Sequence, residues 1–286
     1  MKKLLFPLMS LMFLWSCDPN TVPEEQTIIG TDTVPADRTQ RRVGAYHVVR
    51  DSAVEVGGIR VSPIEDSPEF SDGILEMNYP ESEARIAGKQ VQFNYNIKNF
   101  RLGHQTDRSA CPKCSNSEKG QHIHLILNNK PYLARYETSF KENLEPGHYV
   151  ALSFLSRSYH ESVKHSDAYV LRQFSVGEGK ADQVDLSKPF LFYSRPKDEY
   201  VGDDAKKVLL DFYLVNTDLS EQGHKVRATI NGNEFILVNW QPYIMENLPI
   251  GEVTIKLELL DVNDNLVDTP FNPSERTITL KEGPGA

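Results

Sequence analysis

From residue 73 onward, apolar and polar side chains alternate along the chain. Phe93, Tyr95 and Ile97 are separated by polar residues, and so are Ile123, Leu125 and Leu127, then Val150, Leu152 and Phe154. A period of two predicts half-buried β-strands whose sheets pack face to face. Breaks such as Asn128-Asn129-Lys130-Pro131 and Glu145-Pro146-Gly147 fall between these runs and read as turns. No long stripe at helical spacing competes with them, so the predicted class is all-β.

The pattern then repeats. Ile74 to Pro80 matches Phe190 to Pro196, and Phe93, Tyr95 and Ile97 match Leu210, Phe212 and Leu214. Gly120 to Asn128 matches Gly223 to Asn231, and Glu142-Asn143-Leu144 matches Glu246-Asn247-Leu248. The order is kept and the apolar positions stay in phase, which predicts an internal duplication of one module over 73–177 and 188–282. Each copy has about 100 residues and about seven strands, and so resembles an immunoglobulin-like sandwich. The expected architecture is two tandem immunoglobulin-like sandwiches.

The front of the chain reads differently. Residues 43–72 hold short apolar pieces, Tyr46 to Val49 and Val54 to Val61, broken by Pro63 and Pro68, and form an extension of uncertain structure. Residues 17–42 are polar, rich in Pro, Thr and charge, and read as a tether. Before them, Lys2-Lys3 precede the apolar run Leu4 to Trp15, and Ser16 stands before Cys17. This string resembles a bacterial lipoprotein signal peptide. The resemblance implies a signal over 1–16, cleavage before Cys17, and acyl chains such as palmitate on that residue. The expected location is the cell envelope, lipid-anchored, at the outer membrane or surface of a Gram-negative bacterium. The apolar run is too short to span a bilayer comfortably as a helix, which takes roughly 20 residues.

Charge narrows the partners. The chain of 286 residues carries a formal net charge of −9. An acidic surface argues against nucleic acid, whose recognition needs a basic footprint. The membrane through the anchor, and an envelope protein or peptide, are the expected partners.

The duplication also separates what the fold needs from what one copy adds. The connection from Ile97 to Gly120 is about 14 residues longer than its counterpart from Leu214 to Gly223. Extra length in one loop of a rigid scaffold is where binding function tends to sit. This loop holds His104, Cys111 and Cys114 and runs into the strand bearing His122 and His124. In immunoglobulin order it is the B–C loop, and the F–G loop at the same end carries His160 and His165. A loop-built binding end on the first module is the expectation. His122 and His124 share one strand face; Lys225 and Arg227 replace them in the second copy, which places that face at or near solvent.

Two chemistries are open to these side chains. Cys111 and Cys114 could form a disulfide outside the cytoplasm. Alternatively, Cys111, Cys114, His122 and His124 could hold zinc or copper, since thiolate and imidazole suit both. Catalysis is not expected. No Gly-x-Ser-x-Gly elbow surrounds Ser156 or Ser158, and the Asp261 to Asn265 string has Leu266 where a calcium loop needs glycine.

The Gly120-x-His122-x-His124-Leu125 strand, followed by Asn143-Leu144-x-Pro146-Gly147, looks like a motif of secreted bacterial sandwich domains of unassigned activity, some labelled phosphopeptide-binding. The resemblance implies an anionic or phosphopeptide ligand as one alternative. The main reading is a non-enzymatic, membrane-anchored binding module of the envelope.

Overall fold

The computed structural model describes residues 47–178 and 183–284. The signal 1–16, Cys17 and the tether 17–42 lie outside the described residues. The described residues belong to one compact unit. Among the described residues there are strands and short 3₁₀ turns but no α-helix.

A first group of short strands, β1 (Val48–Val49), β2 (Val54–Val56) and β3 (Ile59–Pro63), opens the unit. Eight strands follow: β4 (Ile74–Tyr79), β5 (Arg85–Ile86), β6 (Gln90–Lys98), β7 (His122–Leu127), β8 (Leu133–Arg135), β9 (Ser139–Asn143), β10 (Gly147–Ser156) and β11 (Tyr169–Val176). Eight more complete the chain: β12 (Phe190–Arg195), β13 (Glu199–Val201), β14 (Lys207–Val215), β15 (Lys225–Ile230), β16 (Asn233–Leu237), β17 (Tyr243–Glu246), β18 (Gly251–Leu260) and β19 (Ser274–Lys281).

The two sets of eight have the same strand order. In the first, β4-β6-β9 form one sheet and β5-β11-β10-β7-β8 the other. In the second, β12-β14-β17 correspond to the smaller sheet and β13-β19-β18-β15-β16 to the larger. This is the arrangement of an immunoglobulin-like sandwich, with the G-F-C strands in one sheet and A, B and E in the other. Even the irregularities agree, because β4 shifts register against β6 between Met77 and Tyr79, and β12 against β14 between Tyr193 and Arg195.

Alternation explains each core. Val91, Phe93 and Tyr95 of β6 face Ile123, Leu125 and Leu127 of β7 inside the first sandwich. Leu210, Phe212 and Leu214 meet Val226, Ala228 and Ile230 inside the second. Each fully buried Val, Leu, Ile or Phe among them contributes about 1.5–3 kcal/mol.

The extension 43–72 supplies edge strands to the second sandwich. β3 pairs antiparallel with β17 and β2 with β3, while β1 runs parallel to β16. Val49, Ile59 and Val61 join the second core. The chain therefore begins on the second sandwich, builds the first, and returns. The pieces are short because each covers an existing edge and needs no core of its own.

A third apolar cluster lies between the sandwiches. Ile126, Leu152 and Phe154, on the outer face of β7 and β10, pack against Phe190 and Phe192 of β12 and Tyr213 and Val215 of β14. This overturns the expectation that the His122–His124 face lies at or near solvent. Neither histidine retains exposed surface. The reason is that the second sandwich covers this face, whereas the matching face of β15 carries Arg227 paired with Glu258.

Candidate metal centre

Strand β7 is paired on both sides, with β10 and β8. Residues two apart on it face the same way, so His122 and His124 project side by side toward the second sandwich. Their ring centroids are 4.8 Å apart and the two Nε2 atoms are 2.9 Å apart. The third ring comes from the loop between β10 and β11. His160 Nδ1 lies 3.1 Å from His122 Nε2. One nitrogen from each of the three imidazoles falls within 4.8 Å of the others.

Local structure explains the placement. Gly120 precedes the strand with φ +82°, and a Cβ there would meet the His104 carbonyl oxygen at 2.5 Å. Only glycine fits. Its carbonyl accepts a hydrogen bond from His122 Nδ1 at 2.8 Å, which fixes that ring and leaves Nε2 as a lone pair. His160 adopts φ +70°, a left-handed conformation uncommon outside glycine, in a turn closed by its N–H donating to the Arg157 carbonyl at 2.9 Å. The turn is held rigidly. Arg157 and Glu161 form a buried ion pair at 2.9 Å, Arg157 Nε donates to the Pro68 carbonyl, and Ser67 Oγ donates to Glu161. Lys164 pairs with the fully buried Asp211 of β14, which also accepts from Ser162 Oγ at 3.1 Å. The loop is thus bonded to the second sandwich.

The surroundings are buried and aromatic. Tyr132 stacks on His124 with centroids 3.5 Å apart, and its hydroxyl lies 3.2 Å from His160 Nδ1. The second sandwich contributes Ser194, whose Oγ is 3.4 Å from His124 Nδ1. Ser194 sits in the β12 register shift, and such bulges re-aim side chains next to functional sites. Burial, with Arg195 and Lys197 nearby, holds the His122 imidazolium down at about 4. The same burial pushes His124 and His160 down as well. All three rings are therefore neutral at neutral pH, which is the form that ligates.

Neutral rings so close together conflict without a cation. His122 Nε2 offers one in-plane lone pair, and two ring nitrogens approach it at 2.9 and 3.1 Å. Only one can donate well, so the other pair sets lone pair against lone pair. A metal ion among the three nitrogens would convert that repulsion into coordination. At metal–nitrogen bonds of roughly 2.0–2.1 Å, nitrogens in a tetrahedral site stand roughly 3.3 Å apart. The two contacts of His122, at 2.9 and 3.1 Å, are close to that spacing, while the set as a whole spreads to 4.8 Å, so the His124 and His160 rings must draw together to share one ion. Imidazole donors suit zinc and copper among the common ions.

The other candidates are placed as follows. Cys111 and Cys114 are joined to each other as a disulfide. The bond is buried against Ile64, Tyr159, Leu209 and Ile244. The Cys111, Cys114, His122 and His124 ligand set is therefore not assembled, because neither sulfur is a thiolate. His104 is exposed on the B–C loop, and His165 donates from Nε2 to the Phe70 carbonyl at 3.0 Å. Neither joins the imidazole cluster. The B–C and F–G loops do meet, since Thr106 and Ser158 exchange two hydrogen bonds of 3.1 Å. Sequence reasoning placed His160 at this end but not among the ligands. Tyr132, Ser194 and Arg195 were not singled out. The signal for them was the apolar run on both faces of β12, Phe190 to Tyr193, which marks a strand covered twice.

No family model matches the chain, and no curated protein matches it. Solved structures do. One is of the fibronectin(III)-like modules of Clostridium thermocellum CbhA, at 14% identity, 74% of this chain, 97% of that chain and a TM-score of 0.27. Another is SGBP-B of the Bacteroides ovatus mixed-linkage glucan utilization locus, in complex with a mixed-linkage heptasaccharide, at 8% identity, 72% of this chain, 47% of that chain and a TM-score of 0.22. A third is the central fibronectin-III array of RIM-binding protein, at 9% identity, 74% of this chain, 71% of that chain and a TM-score of 0.23. Likenesses at these scores carry no argument about ligand or activity. The immunoglobulin-like architecture follows from the strand orders of the two sandwiches themselves.

Proposed function

We propose that this chain is a lipid-anchored, non-enzymatic protein of the bacterial cell envelope that binds one transition-metal ion, zinc or copper, on His122, His124 and His160. The observation that carries the reading is the convergence of three imidazole nitrogens within 4.8 Å of one another, in a site buried between two sandwiches. Two features favour holding over turnover: His122 and His124 have no exposed surface, and Tyr132 is stacked against the site. The anchor reading rests on the Lys2 to Cys17 string. A Cys111–Cys114 disulfide agrees with an oxidising compartment.

The test is elemental analysis of full-length protein purified from the envelope fraction, followed by titration of the stripped protein with Zn²⁺ and with copper. One equivalent should bind, and His160→Ala should lower affinity by about 100-fold or more, at or above the top of the range for losing an outer-shell partner. Absence of stoichiometric binding of either metal would reject the metal reading. Cys17→Ser should move the protein to the soluble fraction, and retention in the membrane would reject the anchor.

A further inference from the structure

We infer that the three-imidazole centre is built for monovalent copper, Cu⁺, rather than for a divalent ion. The inference rests on the metal-binding reading above and names the ion.

Two independent features point this way. The first is charge. Three imidazoles bring no negative charge, and the metal-ligating cluster contains no carboxylate or thiolate. Glu161, next to His160, is held in its ion pair with Arg157, so the charges that bear on the three rings are those of Arg195 and Lys197. Arg195 follows Ser194, the residue that contacts His124, and its guanidinium lies 5.4 Å from the Tyr132 ring centre. It is buried and donates to the Tyr200 hydroxyl at 2.6 Å, and its Nε has no partner. Among the described residues no carboxylate pairs with it. Lys197 Nζ stands 4.4 Å from the same ring centre and is partly balanced by Asp198 at 3.2 Å. Coulomb repulsion scales with the charge of the incoming ion, so a buried cation opposes a divalent ion twice as strongly as a monovalent one.

The second feature is coordination number. Zinc requires four ligands, the fourth being water or substrate in an open site. Here Tyr132 is packed on His124 at 3.5 Å between ring centres, with its hydroxyl 3.2 Å from His160 Nδ1. A neutral phenol is a poor fourth donor and occupies the space that a water would need. Zn²⁺ and Cu⁺ both have filled d shells, so charge separates them: the monovalent ion needs less donation and is satisfied by three nitrogen donors.

The test uses the full chain, stripped of metal. Cu⁺ is titrated anaerobically with ascorbate against a colorimetric copper(I) chelator, and Zn²⁺ against a zinc chelator. Cu⁺ should bind at least about tenfold more tightly than Zn²⁺, a margin set by the buried cations, because imidazole by itself suits both metals. Arg195→Gln should then raise Zn²⁺ affinity about tenfold more than Cu⁺ affinity. Lys197→Met, at a partly exposed site, should act in the same direction and serves if Arg195→Gln does not fold. Zn²⁺ binding as tightly as Cu⁺, or equal shifts for both ions in both variants, would overturn the inference while leaving the metal site standing. Failure of both ions to bind the wild-type chain would remove the site itself.

Discussion

Nδ1 of His160 lies 3.1 Å from Nε2 of His122, although 38 residues of chain separate them. The contact joins a loop to a strand, and both are held by groups that have no part in ligation: the Gly120 carbonyl on one side and the Arg157–Glu161 ion pair on the other. Side chains preset in this way lose little entropy on binding.

Ser194 tests whether the second sandwich tunes the centre. Its Oγ is 3.4 Å from His124 Nδ1, and outer-shell partners of ligating histidines are commonly worth about 10–100-fold in affinity. Ser194→Ala should weaken copper binding by about tenfold and leave the unfolding midpoint nearly unchanged. Unchanged affinity in a competition titration would mean that the second sandwich only covers the site.

Acid should destabilise the metal-free protein. Burial holds His122 at about 4 in the folded chain, against 6.5 when exposed. Between those values the unfolded chain binds more protons, so stability is flat above about pH 6.5 and falls as pH drops toward 4. The loss from this one group is about 3 kcal/mol. His124 and His160 shift in the same direction and add to it. Urea midpoints at pH 7.5, 6 and 4.5 should decline in that order, and His122→Leu should flatten the decline. A midpoint independent of pH across that range would contradict the buried neutral rings.

The disulfide and the metal site should separate cleanly. Cys111 and Cys114 bond to each other and pack against Tyr159 and Leu209. Replacing both by serine should leave metal stoichiometry at one. It should cost about 2 kcal/mol by the chain-entropy model for so small a loop. Stoichiometry falling to zero in a correctly folded double variant would return the sulfurs to the ligand set.

Asp211 joins the sandwiches. It is fully buried, pairs with Lys164, and accepts hydrogen bonds from Ser162 N and Oγ. Asp211→Ala strands a nearly buried lysine and should cost about 3–5 kcal/mol. Lys164→Met on top of it should restore part of that loss. Because both residues bear on the His160 loop, proteolysis after Lys164 or Arg157 should quicken in the single variant; an unaltered rate would show that the loop holds without this tie.

Much of this protein was legible in its sequence. Alternation fixes which side chains of a strand share a face, so Ile123, Leu125 and Leu127 were identifiable as core and His122 and His124 as neighbours. Duplication tied the two halves together, and loop length marked the B–C connection as the odd segment. These are local properties, set by strand geometry and turn chemistry. What covers the opposite face is not local. Lys225 and Arg227 suggested solvent there, yet β12 and β14 lie across the first sandwich, and the run from Phe190 to Tyr193 was the trace of it. The destination of residues 48–63 was equally hidden, because an edge strand pairs through its backbone with a partner some 180 residues away, and side-chain pattern does not name that partner. The sequence pointed to Cys111 and Cys114 as companions of the His-x-His pair, and His160 is the side chain that stands beside it. That placement depends on how two loops fold back over one strand, and only the tertiary structure decided it.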